Sequence, residues 1–354
     1  MFMFRLLTLL TLSVLFSSSA LAIQSGSRGV PAFNSSASRT YYAPAARTQC
    51  RQPVTYYRTT PSTTYSQPVT YYRTTRSAPT SQPVASTRSF GNTGTSSATL
   101  IDPVFRTNNP NSPYRVDHSS WDQFLSRNVA NDAQGVSRVA YSRVSGQDRQ
   151  LLGGYLQQLQ STDIRSLNRN EQFAFWTNLY NARTVALVLD NYPVSSIQQI
   201  NNGQAFDTPG AVTVLGKPLS LNQIESGIIR PVWNDPRIHY ALNCAAYGCP
   251  NLATSAYTGQ NANARLNQAA YAFINTDRAV QRTASGLQVS KIYDWYKDDF
   301  GGTDQGVISH ISQYANPTTL SKINGQTTIQ DYYYDWSLND AAGYDGQVIG
   351  GYAR

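Results

Sequence analysis

His239, Cys244 and Cys249 fall within a stretch of eleven residues. A thiol attacks only as the thiolate, and a nearby imidazole or helix N-terminus lowers its pKa. A segment that carries His239 and Asn243 and turns at Cys244 could supply both influences. In that reading Cys244 is the nucleophile and His239 the base. Asn243 or Glu225 orients the ring, and Asn243 is also able to donate to an oxyanion. The alternation from Ile238 to Asn243 predicts a strand. A strand puts His239 and Asn243 on one face and Cys244 on the other, unless the chain bends there.

The same residues support other chemistry. In an oxidising compartment Cys244 and Cys249 are natural disulfide partners across a short loop, which leaves Cys50 alone. His239 and Asn243 would then simply satisfy buried backbone groups. Zinc takes four nitrogen or sulfur ligands, and these residues offer three. The chain has only two other histidines. His310 falls on the polar side of an amphipathic pattern and is expected to be solvated, and His118, near Trp121, has nothing to distinguish it.

Five further residues are candidates for substrate binding: Asn178, Asn181, Arg230, Arg237 and Lys291. Glu225, Arg230, Asp235 and Arg237 form a charged cluster. Its plain reading is a buried ion-pair network, and its functional reading is an arginine fork for a substrate carboxylate. Asn178 and Asn181 stand on an otherwise apolar helix, and buried amides need partners. They either brace the Cys244 loop or line a pocket. Lys291 is a strand-end salt bridge or a site cation. Nothing in the sequence calls for a cofactor.

The elements that must position these residues follow from periodicity. Leu151, Leu152, Tyr155, Leu156 and Leu159 mark an amphipathic helix. Asn168 with Glu171 forms a capping-box pattern before a helix that is apolar all round, stopped at Asn191-Tyr192-Pro193. A hairpin is expected over Val212 to Leu219 with a turn at Gly216, and Ser220 with Gln223 opens another helix to Pro231. Further on, Leu266 to Phe273 form a helix, Leu287 and Val289 a strand, and Asp304 caps a helix running through Val307 and Ile311. The class is α+β, mainly helical with a small, largely antiparallel sheet.

Ahead of the domain, residues 1–22 carry the marks of a secretory signal. Arg5 is the positive charge, Leu6 to Phe16 the short apolar run, and Ala20-Leu21-Ala22 the cleavage site. A bilayer span needs roughly 20 apolar residues, so cleavage is expected and no later segment is apolar enough to span. The mature protein is expected to be secreted or periplasmic. Residues 23–112 are rich in Tyr, Thr, Pro and Arg, with repeats starting at Gln52, Gln67 and Gln82. This composition carries too little apolar surface to fold and predicts a disordered tail before a domain over 113–354. The formal charge of +8 divides unevenly. Residues 23–115 hold ten Arg and one acid, or +9, whereas residues 116–354 hold 17 basic and 19 acidic residues, or −2. The basic tail suits anionic envelope or wall polymers better than nucleic acid.

Several long motifs occur in a recognisable order. Phe175 to Ala182, Ile224-Glu225 and Arg230 come first. Asp235-Pro236-Arg237-Ile238-His239-Tyr240-Ala241-Leu242-Asn243-Cys244 and Gly248-Cys249-Pro250-Asn251-Leu252 follow. Ser290-Lys291-Ile292, Trp295-Tyr296, Asp299-Phe300 and Asp335 to Asn339 complete the set. Across most of residues 113–340 the chain resembles domain-of-unknown-function family 547. That resemblance implies a distant similarity to papain- and transglutaminase-like thiol enzymes. The family usually has histidine after the acid of the Ile-Glu pair, where this chain has Ser226. Two functional readings stand: a thiol-dependent hydrolase or acyltransferase, or a non-catalytic binding or scaffold protein stapled by a Cys244–Cys249 disulfide.

Overall fold

A computed structural model describes residues 102–342. The predicted signal, the tyrosine-rich repeats and Cys50 lie outside the described residues. The packed chain starts before the expected boundary at Pro113. Asp102 caps a 3-10 turn over Pro103–Arg106, and Phe105 is buried edge-on to Trp176 with ring centroids 5.7 Å apart.

Helix α1 (Ser119–Asn128) leads into a short hairpin, β1 (Val129–Asn131) antiparallel to β2 (Ser137–Val139). Helix α2 (Gly146–Ser161) is capped by the Ser145 hydroxyl, and its buried residues include Leu152, Tyr155, Leu156 and Leu159 from the predicted stripe. Helix α3 (Arg169–Asn191) begins where Asn168 accepts from the amides of Asn170 and Glu171. Every residue from Glu171 to Ala182 is buried, as expected of a helix that is apolar all round. The box is not closed reciprocally, because the buried Glu171 carboxylate instead faces Arg115 at 3.4 Å and accepts from the Val116 amide.

Strands β3 (Val212–Val214) and β4 (Lys217–Leu219) form the predicted hairpin. Its turn residues Leu215 and Gly216 both have positive φ, the pairing that tight hairpins favour. Ser220 and Gln223 then exchange both bonds of a capping box, at 2.8 and 3.1 Å. The helix they open is unusual: Gln223–Ile229 is wound as a π-helix before helix α4 (Arg230–Trp233). The Arg230 amide bonds to the Glu225 carbonyl five residues back. Such wide turns are rare in regular helices and recur at functional sites.

The predicted strand from Ile238 is not formed. Asp235 caps a 3-10 helix over Pro236–Tyr240, accepting from the Arg237 amide. Asp followed by Pro is a helix-opening pair, and proline at the first helical position outweighs the alternation of the next residues. Helix α5 (Ala262–Ile274) follows. Strands β5 (Val280–Thr283), β6 (Gly286–Ser290) and β7 (Asp331–Tyr333) make a three-stranded sheet, with β6 antiparallel to β5 and parallel to β7. Between β6 and β7 lie helices α6 (Ile292–Trp295), α7 (Asp304–Tyr314) and α8 (Pro317–Ile323). Thr303, one residue before the expected Asp304, caps α7. The class is α+β, as the sequence predicts.

Two hydrophobic clusters fill the interior, one around α3 and one between α5, α7 and the three-stranded sheet. A C-terminal strap over residues 335–341 ties distant parts together. Its carbonyls accept from Gly248 (2.8 Å, at Asp335), Tyr247 (2.6 Å, at Ser337) and Val139 (2.9 Å, at Asn339). The amides of Leu338 and Asn339 donate to Ser195 and Ala245. Gly248 lies so close beneath it that an added β-carbon would sit 2.8 Å from the Asp335 nitrogen. Among the described residues no helix is long and apolar enough to cross a membrane.

Candidate active site

The loop from Ala241 to Asn251 is held by amides and an arginine. Asn181 on α3 donates to the Ala241 carbonyl (2.9 Å) and accepts from the Asn243 amide (2.8 Å). Asn243 in turn donates to the Pro250 carbonyl at 2.8 Å and accepts from the Ala245 amide at 3.0 Å. This last bond closes a turn in which Ala245 takes a left-handed φ of 63°, a conformation costing about 1 kcal/mol or more for a residue with a β-carbon. Arg278 donates from Nη1 to the carbonyls of Tyr247 and Cys249, at 2.8 and 2.6 Å. Asn178 makes a two-way bond with the Tyr257 backbone, at 2.8 and 3.0 Å. Asn181 thus holds the Cys244 loop, whereas Asn178 holds the Tyr257 backbone outside it.

That bracing places the two sulfurs together. Cys244 Sγ lies 2.6 Å from Cys249 Sγ and 2.8 Å from the Tyr334 hydroxyl. Cys249 Sγ accepts from the Cys244 amide at 2.8 Å. Cys249 is buried, whereas Cys244 is half-buried. Burial alone would push the Cys244 thiol up. Hydrogen bonds from Cys249, Tyr334 and the Ala246 amide outweigh it, and the Cys244 pKa is lowered. Burial and the adjoining Cys244 raise that of Cys249 well above its ordinary value. Burial next to the same sulfur also keeps Tyr334 protonated, so its hydroxyl remains a donor.

His239 lies in the last turn of the 3-10 helix and stacks on Tyr296, with ring centroids 4.1 Å apart. Its Nε2 lies 2.7 Å from Asp299 Oδ2, and its Nδ1 lies 3.8 Å from Glu225 Oε1. Asp299 also accepts two bonds from Arg230, at 2.7 and 3.0 Å. Burial would raise the Asp299 pKa, but bonds from His239 and Arg230 hold it well below the usual carboxylate range. Glu225 sits in the π-helical turn, accepts from Tyr180 at 3.1 Å and is hydrogen-bonded to Tyr296. Burial and then the Glu225 charge raise the pKa of both phenols well above normal.

Cys244, Cys249, His239 and Glu225 all line one cavity of about 80 Å³, room for a few water-sized groups. Trp295, Tyr334 and Trp336 form an aromatic wall, with ring centroids 4.6 to 5.5 Å apart. The thiol, the imidazole and the acid therefore line one cavity, with both His239 ring nitrogens turned toward carboxylates, while Asn243 stays in the loop behind them. Neither Arg230 nor Arg237 lines the cavity. The charged cluster resolves into separate pairs, Arg230 with Asp299 and Arg237 with Asp235. Lys291 pairs with Asp294 at 3.4 Å, the salt-bridge reading.

Of the other two histidines, His310 differs from expectation. His310 is buried, not solvated: its Nε2 is 2.9 Å from the Tyr240 hydroxyl, because α7 packs that face against the second core. His118 is also buried, with Nδ1 2.7 Å from Tyr155. Asp299 and Tyr334 carry roles that residue spacing did not assign, being 60 and 90 residues from their partners. Asp299 belongs to a recognised motif, which was the only signal for it. Among the described residues no group of three His, Cys, Asp or Glu side chains is placed to hold a metal ion.

Residues 164–274 match the family described as "Protein of unknown function, DUF547". The matched segment runs from the turn before α3 to the end of α5. It includes Glu225, His239 and both cysteines, while Asp299 and Tyr334 lie beyond it. Searches of curated proteins and of solved structures found no match.

Proposed function

We propose that this protein is a thiol-dependent hydrolase or acyltransferase that acts outside the cytoplasm on envelope or extracellular material. The observation that carries the reading is that Cys244 and His239 line one cavity while donors surround the Cys244 sulfur. Cys244 Sγ would attack an acyl carbon, forming a thioester as the bond to the leaving group breaks. His239 faces Asp299 and Glu225, so its part is to give a proton to the leaving group. It would then take one from the water or acceptor that cleaves the thioester. Asp299 is the orienting group in this scheme, ahead of Asn243.

The signal pattern of residues 1–22 supports export, and the basic residues of 23–115 suit an anionic surface. N-terminal sequencing of the exported protein should begin at Ile23. For the chemistry, a Cys50→Ser protein should release the leaving group of a small activated ester in a burst matching one site. Cys244→Ala should abolish that burst while the fold persists, and His239→Gln should slow the steady phase far more than the burst. Absence of any burst from reduced, folded protein would sink the reading. The sulfur contact of 2.6 Å favours a second reading, a binding protein in which Cys244 and Cys249 are only a staple.

A further inference from the structure

Cys244 and Cys249 are separated by four residues whose path is fixed independently of either side chain. The strap holds Ala245, Tyr247 and Gly248 through backbone bonds of 2.6 to 2.9 Å, and Arg278 holds the carbonyls of Tyr247 and Cys249. Within that frame the sulfurs touch at 2.6 Å. A disulfide has a sulfur–sulfur bond of about 2.05 Å, so closing one takes a movement of only about half an ångström. The two positions are unequal. Cys244 is half-buried and faces the Tyr334 hydroxyl, whereas Cys249 is 4% exposed and receives the Cys244 amide.

We propose that Cys244 and Cys249 form a reversible dithiol–disulfide couple that exchanges with small disulfides at the half-buried Cys244 sulfur. The inference does not rest on acyl transfer, since it needs only the two sulfurs. In the first step the Cys244 thiolate attacks one sulfur of a small disulfide. A bond forms to that sulfur, the external sulfur–sulfur bond breaks, and one thiolate leaves. In the second step Cys249 gives its proton to the departing group and attacks Cys244 Sγ, expelling the second small thiol. Two external thiols and one internal disulfide result, so the protein pair is oxidised by two electrons and the small disulfide reduced by two. The Cys244 amide already points at Cys249 Sγ and stabilises negative charge as the proton leaves. Oxidation removes the nucleophile from the cavity, and small thiols restore it.

The test is equilibration of the Cys50→Ser protein in buffers of reduced and oxidised glutathione at graded ratios. Samples are acid-quenched, alkylated and weighed intact. The expected result is loss of both thiols together, with two hydrogens fewer and no lasting glutathione adduct, reversed by returning to reduced glutathione. Cys249→Ser should instead trap one adduct on Cys244, and Cys244→Ser should react at least about tenfold more slowly. Cys50→Ser protein that keeps both thiols at every ratio overturns the proposal. So does protein that stays oxidised at the most reducing ratio, which is a permanent staple, or that accumulates the adduct despite Cys249. The measurement on the protein that keeps Cys244 and Cys249 decides even if a further variant fails to fold. The ester burst on reduced protein reports separately on acyl transfer.

Discussion

His239 Nε2 and Arg230 Nε each lie 2.7 Å from the same oxygen of Asp299. One carboxylate thus joins the imidazole on the cavity wall to a guanidinium that also stacks over Tyr296 at 4.7 Å. The aromatic ring beneath His239 and the anion beside it fix the plane of the imidazole from two directions.

Replacing Asp299 with Asn should remove charge-assisted bonds and lower stability at pH 7 by about 2 kcal/mol. The folded pKa of Asp299 is depressed. Its stabilisation is therefore complete above the unfolded value of about 3.9 and is lost as pH falls through the lower folded value. Urea unfolding of wild type and Asp299→Asn should show a gap that narrows below about pH 4. A gap unchanged across that range would refute the assignment.

His118 and His310 are held neutral by burial, each with its pKa lowered to about 4. Below about pH 6.5 the unfolded chain binds protons that the folded chain refuses. Stability should fall from pH 6.5 toward pH 4, by up to about 1.4 kcal/mol per pH unit for each histidine. His310→Gln should flatten part of that slope. An identical pH profile for the variant would show that His310 does not titrate this way.

Tyr334→Phe removes a hydroxyl 2.8 Å from Cys244 Sγ. The rate of Cys244 alkylation in a Cys50→Ser background should rise with pH along a midpoint below about 8.5. The variant midpoint should move upward, because the Tyr334 hydrogen bond is among the causes that lower the Cys244 pKa. Superimposable profiles would mean that the phenol does not stabilise the thiolate.

Two glycine substitutions should act in opposite directions. Gly248→Ala drives a β-carbon against the strap backbone and should cost about 1–3 kcal/mol. Gly153 lies inside α2 with nothing within 4 Å of an added β-carbon, so Gly153→Ala should stabilise by about 0.5–1 kcal/mol. Thermal unfolding of both variants checks this, and a harmless Gly248→Ala would remove the strap as the support of the cysteine loop.

Local signals accounted for most elements. The capping pairs at Asn168 and Ser220, the Gly216 turn and the leucine spacing of α2 act over a few residues and hold in the fold. The segment after Asp235 misled because alternation there competes with an Asp-Pro helix start. His310 misled because helical periodicity tells which face is polar, and not that a second core packs against that face.

Chain order alone determined the α+β class, the central helix α3 and the gathering of His239, Cys244 and Cys249 into one short stretch. These follow from backbone preferences and from covalent proximity. Only the tertiary structure decided that Asp299 orients His239, that Tyr334 faces Cys244 and that Asn243 braces the loop from behind. Those pairings span 60 and 90 residues for the first two. They exist because two hydrophobic clusters and the C-terminal strap bring the segments together, and no local spacing encodes that meeting.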